Sequence, residues 1–147
     1  MTMIDDSTTA AEGDLSARAA SLRSRAAVAN KDRAGWLALF AEDALVQDPV
    51  GPSAFDEVGD GHRGATAIAA FWDNVIAPNS VAMRIDASFA GADEVANVVT
   101  ITTTFDDKSQ AVVPGVVIYR VNELGKIVSL RAFWEMEQMS FVPAPSE

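Results

Sequence analysis

Asp48 is the residue of this 147-residue chain whose type and position point most directly to chemistry. It shares strand parity with Ala44 and Val46, so if that face turns inward a carboxylate projects among apolar side chains. Burial disfavours the charged form of an acid and raises its pKa, as a general base working near neutral pH requires. The same carboxylate could instead cap the turn Pro49-Val50-Gly51 by accepting backbone N–H groups, and spacing leaves both roles open. Competing chemistries are few. The chain has no cysteine, which excludes disulfides, thiolate metal sites and cysteine nucleophiles. Its one histidine, His62, stands beside Arg63 in a polar loop and reads as solvated; His-based triads and multi-His sites are excluded. No group of carboxylates and histidine shows metal-ligand spacing, so neither metal nor cofactor is expected.

Charge narrows the partners. Eleven basic against 21 acidic residues give a formal charge of −10, a field that repels nucleic acid and anionic bilayers. No apolar run approaches the roughly 20 residues of a membrane span. The N-terminus has neither a basic nor an apolar signal region, and with the lack of cysteine this leads us to expect a cytoplasmic protein. Five basic residues, Arg18, Arg23, Arg25, Lys31 and Arg33, cluster early. They suit an anion site or, more plainly, a solvated helix face.

The elements that must position Asp48 follow from periodicity. Residues 1–13 read as a frayed, disordered leader, 14–140 as a single domain and 141–147 as a Pro-containing tail. Asp14 is placed to cap a first helix carrying Leu15, Ala19, Leu22, Ala26 and Ala29. Asp32 is placed to cap a second with Trp36, Leu37 and Phe40. A strand over 44–48 stops at Pro49, and residues 52–63 form a polar loop of the length used for lids. A third helix spans 64–77, with Ile68, Phe71, Trp72, Val75 and Ile76 on one stripe. The period then changes to two. Val81, Met83, Ile85, Ala87 and Phe89 alternate with polar or small residues, and strands over 95–105, 111–121 and 127–138 follow. Pro114-Gly115 suggests a bulge. Helices followed by four antiparallel strands make an α+β fold, in which three N-terminal-half helices close a curved antiparallel sheet around an apolar cavity.

The stretch Leu39 to Gly51, LFAEDALVQDPVG, resembles the ketosteroid isomerase (steroid Δ-isomerase) family of the NTF2-like, SnoaL-like superfamily, which carries F-A-D-D-A-x-V-x-D-P-V-G. Tyr119-Arg120-Val121-Asn122 and Gly125 to Trp134 are similar to that family's last two strands, and Gly64 to Trp72 to its third helix. The 52–63 loop matches its longer-loop actinobacterial members. The resemblance implies the NTF2-like (cystatin-like) cone, a homodimer, and a small apolar, steroid-like ligand, with Asp48 as the base of a Δ5 to Δ4 proton transfer. It also exposes a gap. The family's oxyanion Tyr and Asp fall on Ser24 and Val117, so the enolate donors must come from elsewhere, with Ser24, Tyr119, a Trp N–H, Thr100, Thr102 or Thr104 available. A non-catalytic ligand-binding protein is the alternative, and a pure interaction module the third. Pocket candidates are Phe40, Phe55, Phe71, Val117 and Trp134, with Trp36 and Trp72 at the mouth. Epoxide hydrolysis of the limonene epoxide hydrolase type is disfavoured, because its last-strand Asp aligns with Ala132. Arg84 and Asp86, on the polar strand face, read as a surface pair.

Overall fold

The computed structural model describes residues 3–146. Helix α1 (Ala17–Ala29) turns a face of small residues, including Ala17, Ala20, Ser21, Ser24 and Ala27, into the core. Small side chains let a helix lie close against a sheet, and here α1 lies across it. Its N-cap is Ser16, whose hydroxyl accepts from Ala19 N–H. Asp14, expected at that position, instead accepts from Ser16 N–H and lies two residues too early to cap the helix. Asp32 does cap the five-residue α2 (Arg33–Leu37), accepting from Gly35 N–H. Phe40 lies outside that helix. It opens β1 (Phe40–Gln47), because the turn at Ala38-Leu39 ends the helical spacing that Trp36 and Phe40 share.

Beyond β1, the loop returns as a two-residue strand β2 (His62–Arg63) and enters α3 (Gly64–Phe71), which widens into a π-helical turn at Trp72–Ile76. Four long strands follow: β3 (Ser80–Gly91), β4 (Glu94–Thr104), β5 (Gln110–Val121) and β6 (Ile127–Phe133). The sheet runs β2-β1-β6-β5-β4-β3. It is mixed rather than wholly antiparallel, since β1 pairs with β6 in parallel, Val46 opposite Leu130. The last strand is shorter than the sequence implies, and Glu135 and Glu137 lie beyond it, exposed. A short β7 (Ser140–Val142) then pairs with β5 at Gln110–Val112, where β6 is absent.

Two details of register correct the sequence reading. Register shifts fall in β3 between Ile85 and Ala87, between β5 and β6 at Arg120/Val121 and between β1 and β6 after Phe40, not at Pro114-Gly115, where β4 and β5 pair without interruption. Because a one-residue slip reverses strand parity, Ser88 is buried and Phe89 is 57% exposed, the opposite of simple alternation. Gly115 is required for another reason: a Cβ there would lie 2.6 Å from the Phe133 carbonyl oxygen. Trp36 and Trp72 are 1% and 2% exposed, so they are core and not a mouth. Trp36 packs edge-on against Phe40 and against the rings of Phe71 and Trp72.

Helix α1 is docked to the sheet by a buried polar chain as well as by apolar contact. Arg18 Nε donates to Ser88 Oγ, Ser88 donates to Asn97 Oδ1, and Asn97 Nδ2 donates to Ser21 Oγ, at 3.0, 2.7 and 3.0 Å. The early basic residues therefore do not converge on one anion. Lys31 donates to the carbonyls of Ile76, Ala77 and Asn79 at the end of the third helix. Arg33 pairs with Asp73, while Arg23 and Arg25 hold backbone carbonyls of residues 3–13, which carry turns only.

Candidate functional site

Helices and sheet enclose a cavity of about 70 Å³. Its sheet wall is built from facing pairs on β5 and β6, Val117 opposite Ala132 and Tyr119 opposite Leu130. Val81, Met83 and Ile101 continue the wall on β3 and β4, and Ser24, Arg25, Val28, Trp36, Phe71 and Ile76 form the helical side. Asp48 follows β1 with the parity of Val46 and lines the same space, at a cis bond to Pro49. The turn beyond it is fixed by Val50 N–H donating to the Ala132 carbonyl at 2.8 Å, so Asp48 is not needed as a turn cap. Its Oδ1 accepts a 2.6 Å hydrogen bond from Trp134 Nε1.

That single bond sets a contest at the carboxyl. Burial pushes the Asp48 pKa above the ordinary aspartate value, while the Trp134 N–H and the charge of His62 pull it partly back. His62 is not the solvated loop residue its neighbours suggest. Strand β2 places it opposite Val46, half-buried, with its ring 5.0 Å from that of Phe71. No local pattern signals this, because the placement depends on a strand pairing across the fourteen residues of the 48–61 loop.

The cavity that Asp48 lines also holds a hydroxyl pair. Tyr119 Oη and Ser24 Oγ are 3.1 Å apart, both residues buried, and Trp36 Nε1 donates to Ser24 Oγ at 3.0 Å. Burial, and to a smaller degree the charge of Asp48, raise the Tyr119 pKa to about 12, so its phenol stays protonated at neutral pH. Two hydroxyls hold two hydrogens, and one suffices for the bond between them. With an indole N–H already on the serine oxygen, the second hydrogen is free for an acceptor in the cavity.

The remaining sequence candidates divide. Phe71 and Val117 line the cavity. Trp134 serves Asp48 as a donor, a role the expectation of an apolar wall did not include. Phe55 does not reach the cavity: it is 57% exposed in the 52–63 loop, whose Asp56 carboxylate folds it by accepting from Gly59 and Gly61 N–H. Phe40 packs behind Trp36. Thr100, Thr102 and Thr104 are absent from the cavity wall, and Arg84, Asp86 and Thr100 bond one another on the outer surface. Ala132 is buried on β6, whose residues Ile127–Phe133 include no carboxylate. Among the described residues no group of side chains is placed to hold a metal ion, and no helix is long and apolar enough to cross a membrane.

Residues 22–130, the span that supplies nearly all of this cavity, match the SnoaL-like domain family. The chain belongs to that family. It is 34% identical over 127 residues to the steroid Delta-isomerase of Nocardioides simplex, covering 86% of this chain and 96% of the relative. The crystal structure of a Δ5-3-ketosteroid isomerase from Mycobacterium sp. superposes with a TM-score of 0.81 at 41% identity, covering 86% of this chain and 98% of that one. A Mycobacterium tuberculosis protein crystallised with estradiol-17beta-hemisuccinate matches equally well, with a TM-score of 0.81, 37% identity and coverage of 85% and 98%. The NTF2-like cone expected from the sequence is thus the fold observed, and the chain is ketosteroid-isomerase-like along most of its length.

Proposed function

We propose that this protein isomerises a ring ketone of steroid type by moving one proton within the cavity, with Asp48 as the base. The observation that carries the reading is the Asp48 carboxylate, raised in pKa by burial and sharing one largely apolar cavity with the Ser24–Tyr119 hydroxyl pair. In the step envisaged, Asp48 removes a proton from the carbon next to the carbonyl, and the electron pair moves onto the carbonyl oxygen. The spare hydroxyl hydrogen of the pair donates to that oxygen as it becomes negative. Asp48 then returns the proton two carbons further along, shifting the double bond into conjugation. Ketosteroid isomerase is an established case of such carboxyl tuning, in which a second, protonated Asp shares the oxyanion. Val117 stands at that acid's position here, so stabilisation falls to the Ser24–Tyr119 pair alone.

Ligands of drug size occupy cavities of roughly 300–1,000 Å³, so a four-ring substrate requires this one to widen. The side chain able to yield lies at its outer end, where Met83 is long and flexible. The test is turnover of a Δ5-3-ketosteroid by the wild type and by Asp48→Asn. A loss of about 10²–10⁴-fold is expected, and equal rates would remove Asp48 from the reaction. Val117 also favours a second reading, a steroid-binding protein without turnover. Steroid quenching of Trp134 fluorescence with no product formed would select it. We also propose that the protein works as a homodimer, through the outer face of its sheet.

A further inference from the structure

The cavity wall contains one cation with an unfilled donor. Arg25 lines the cavity from α1, one residue beyond Ser24, and with Met83 it also lines a groove on the outside of the cone. These two side chains therefore separate the enclosed space from the surface. One arm of the guanidinium is fixed: NH2 donates to the carbonyls of Asp5 and Thr8 at 3.0 and 2.8 Å. The other, NH1, is buried and has no acceptor among the described residues. Arg25 has no carboxylate partner either; the ion pairs among the described residues are Arg33–Asp73, Arg84–Asp86 and Arg120–Asp93. The groove's own charged groups, Asp6 and Arg84, do not change this, since Arg84 is paired with Asp86. A buried N–H without an acceptor is costly, and most so on a charged group.

We infer that Arg25 selects ligands carrying a carboxylate at the end that reaches the cavity mouth: an apolar ring body with an acidic tail. The inference rests on the reading of the cavity as a ring-ligand site, and it adds the chemical class of the ligand's far end. At the Asp48 end a ligand oxygen has the spare hydrogen of the Ser24–Tyr119 pair, the Trp134 N–H being already given to Asp48. Arg25 supplies a charged donor at the cavity mouth. Its fixed NH2 keeps the planar group oriented, so NH1 offers a directed, charge-assisted bond and not a diffuse positive field. The chain's −10 charge otherwise disfavours an anionic ligand, and selectivity for one then depends on this residue.

The experiment is calorimetric titration of the full-length protein with estradiol and with its 17-hemisuccinate, which differ in the acidic tail. For the wild type the carboxylated steroid is expected to bind about tenfold tighter or more, as a charge-assisted hydrogen bond allows, and the advantage is expected to shrink with added salt. Arg25→Met should abolish the advantage, the carboxylated steroid losing about tenfold more affinity than estradiol does, and Arg25→Lys should restore part of it. Equal affinities in the wild type would overturn the inference without any variant. A parallel loss of both ligands in Arg25→Met would overturn it too, showing that Arg25 only holds residues 5–8 in place. Estradiol binding with no gain from the tail leaves the cavity reading standing. Binding of neither steroid removes both.

Discussion

Asp48 is held between two opposing influences, and the balance has a measurable sign. Burial favours the protonated carboxyl, and the Trp134 N–H favours the carboxylate. Removing the donor with Trp134→Phe keeps an aromatic ring and leaves burial unopposed. The pKa of Asp48 must then rise further, so the midpoint of the ascending limb of kcat/KM against pH should move to higher pH, which a pH–rate profile reads directly. Stability carries the same information with opposite consequence. The folded protein holds the Asp48 proton more tightly than the unfolded chain, whose aspartate titrates near 3.8. Between that value and the raised one the folded state binds more protons, so stability falls as pH rises through the interval and stays lower above it. Asp48→Asn removes this penalty and keeps an oxygen for Trp134. It should raise Tm at pH 7 by about 2–4 °C, as roughly 1 kcal/mol does for a chain of this size, and the gain should vanish below the ordinary aspartate range. An unchanged Tm at neutral pH would show that the carboxyl is not effectively buried. Stabilisation on removing the proposed base would be the usual trade between activity and stability.

At the scale of elements, the position of α1 decides whether Ser24 meets Tyr119, and the buried chain Arg18–Ser88–Asn97–Ser21 decides the position of α1. Asn97→Ala leaves Ser88 and Ser21 without their partner in a site shielded from water. A loss of about 1–3 kcal/mol is expected for such a buried unsatisfied group, read as a lower midpoint in urea with an unchanged slope. A loss under a few tenths would mean that apolar packing alone docks the helix. This chain also shows what a sequence conveys and what it withholds. Asp48 was legible because strand parity and the following proline are local. The β3 bulge was not: Ser88 became a core residue through a one-residue slip that no pattern of apolar residues marks. Phe40 satisfied helical spacing from Trp36 equally well until the turn at Leu39 ended the helix. His62 and Arg25 needed still more, since β2 pairing sets the first and the return of residues 3–13 across α1 sets the second. A helix arginine reads as solvated until the rotation of its helix is known.

For the whole molecule, the cone keeps its polar work inside and turns an apolar face outward. Val98, Val116 and Phe133 lie in one row across β4, β5 and β6, and Val98 and Phe133 are each 39% exposed. In the next row Phe89 stands at 57% exposure opposite Ala96, and the Arg131 guanidinium lies 5.3 Å from the Phe133 ring. A contiguous exposed apolar patch marks a contact surface, and a patch on one continuous sheet face can meet its own copy about a twofold axis. Charge opposes that meeting. Two chains of −10 repel, and added salt screens the repulsion without weakening apolar contact. Association should therefore tighten as ionic strength rises, the reverse of a dimer held by ion pairs. Sedimentation equilibrium should show a dimer in the wild type and a monomer in Val98→Asp, where two copies would bury like charges against one another. Steroid affinity should survive in that monomer, because Val98 points away from the cavity whose inner wall Val99 and Ile101 help support. A wild type that stays monomeric in high salt at its highest soluble concentration would leave this face without a second copy to cover it.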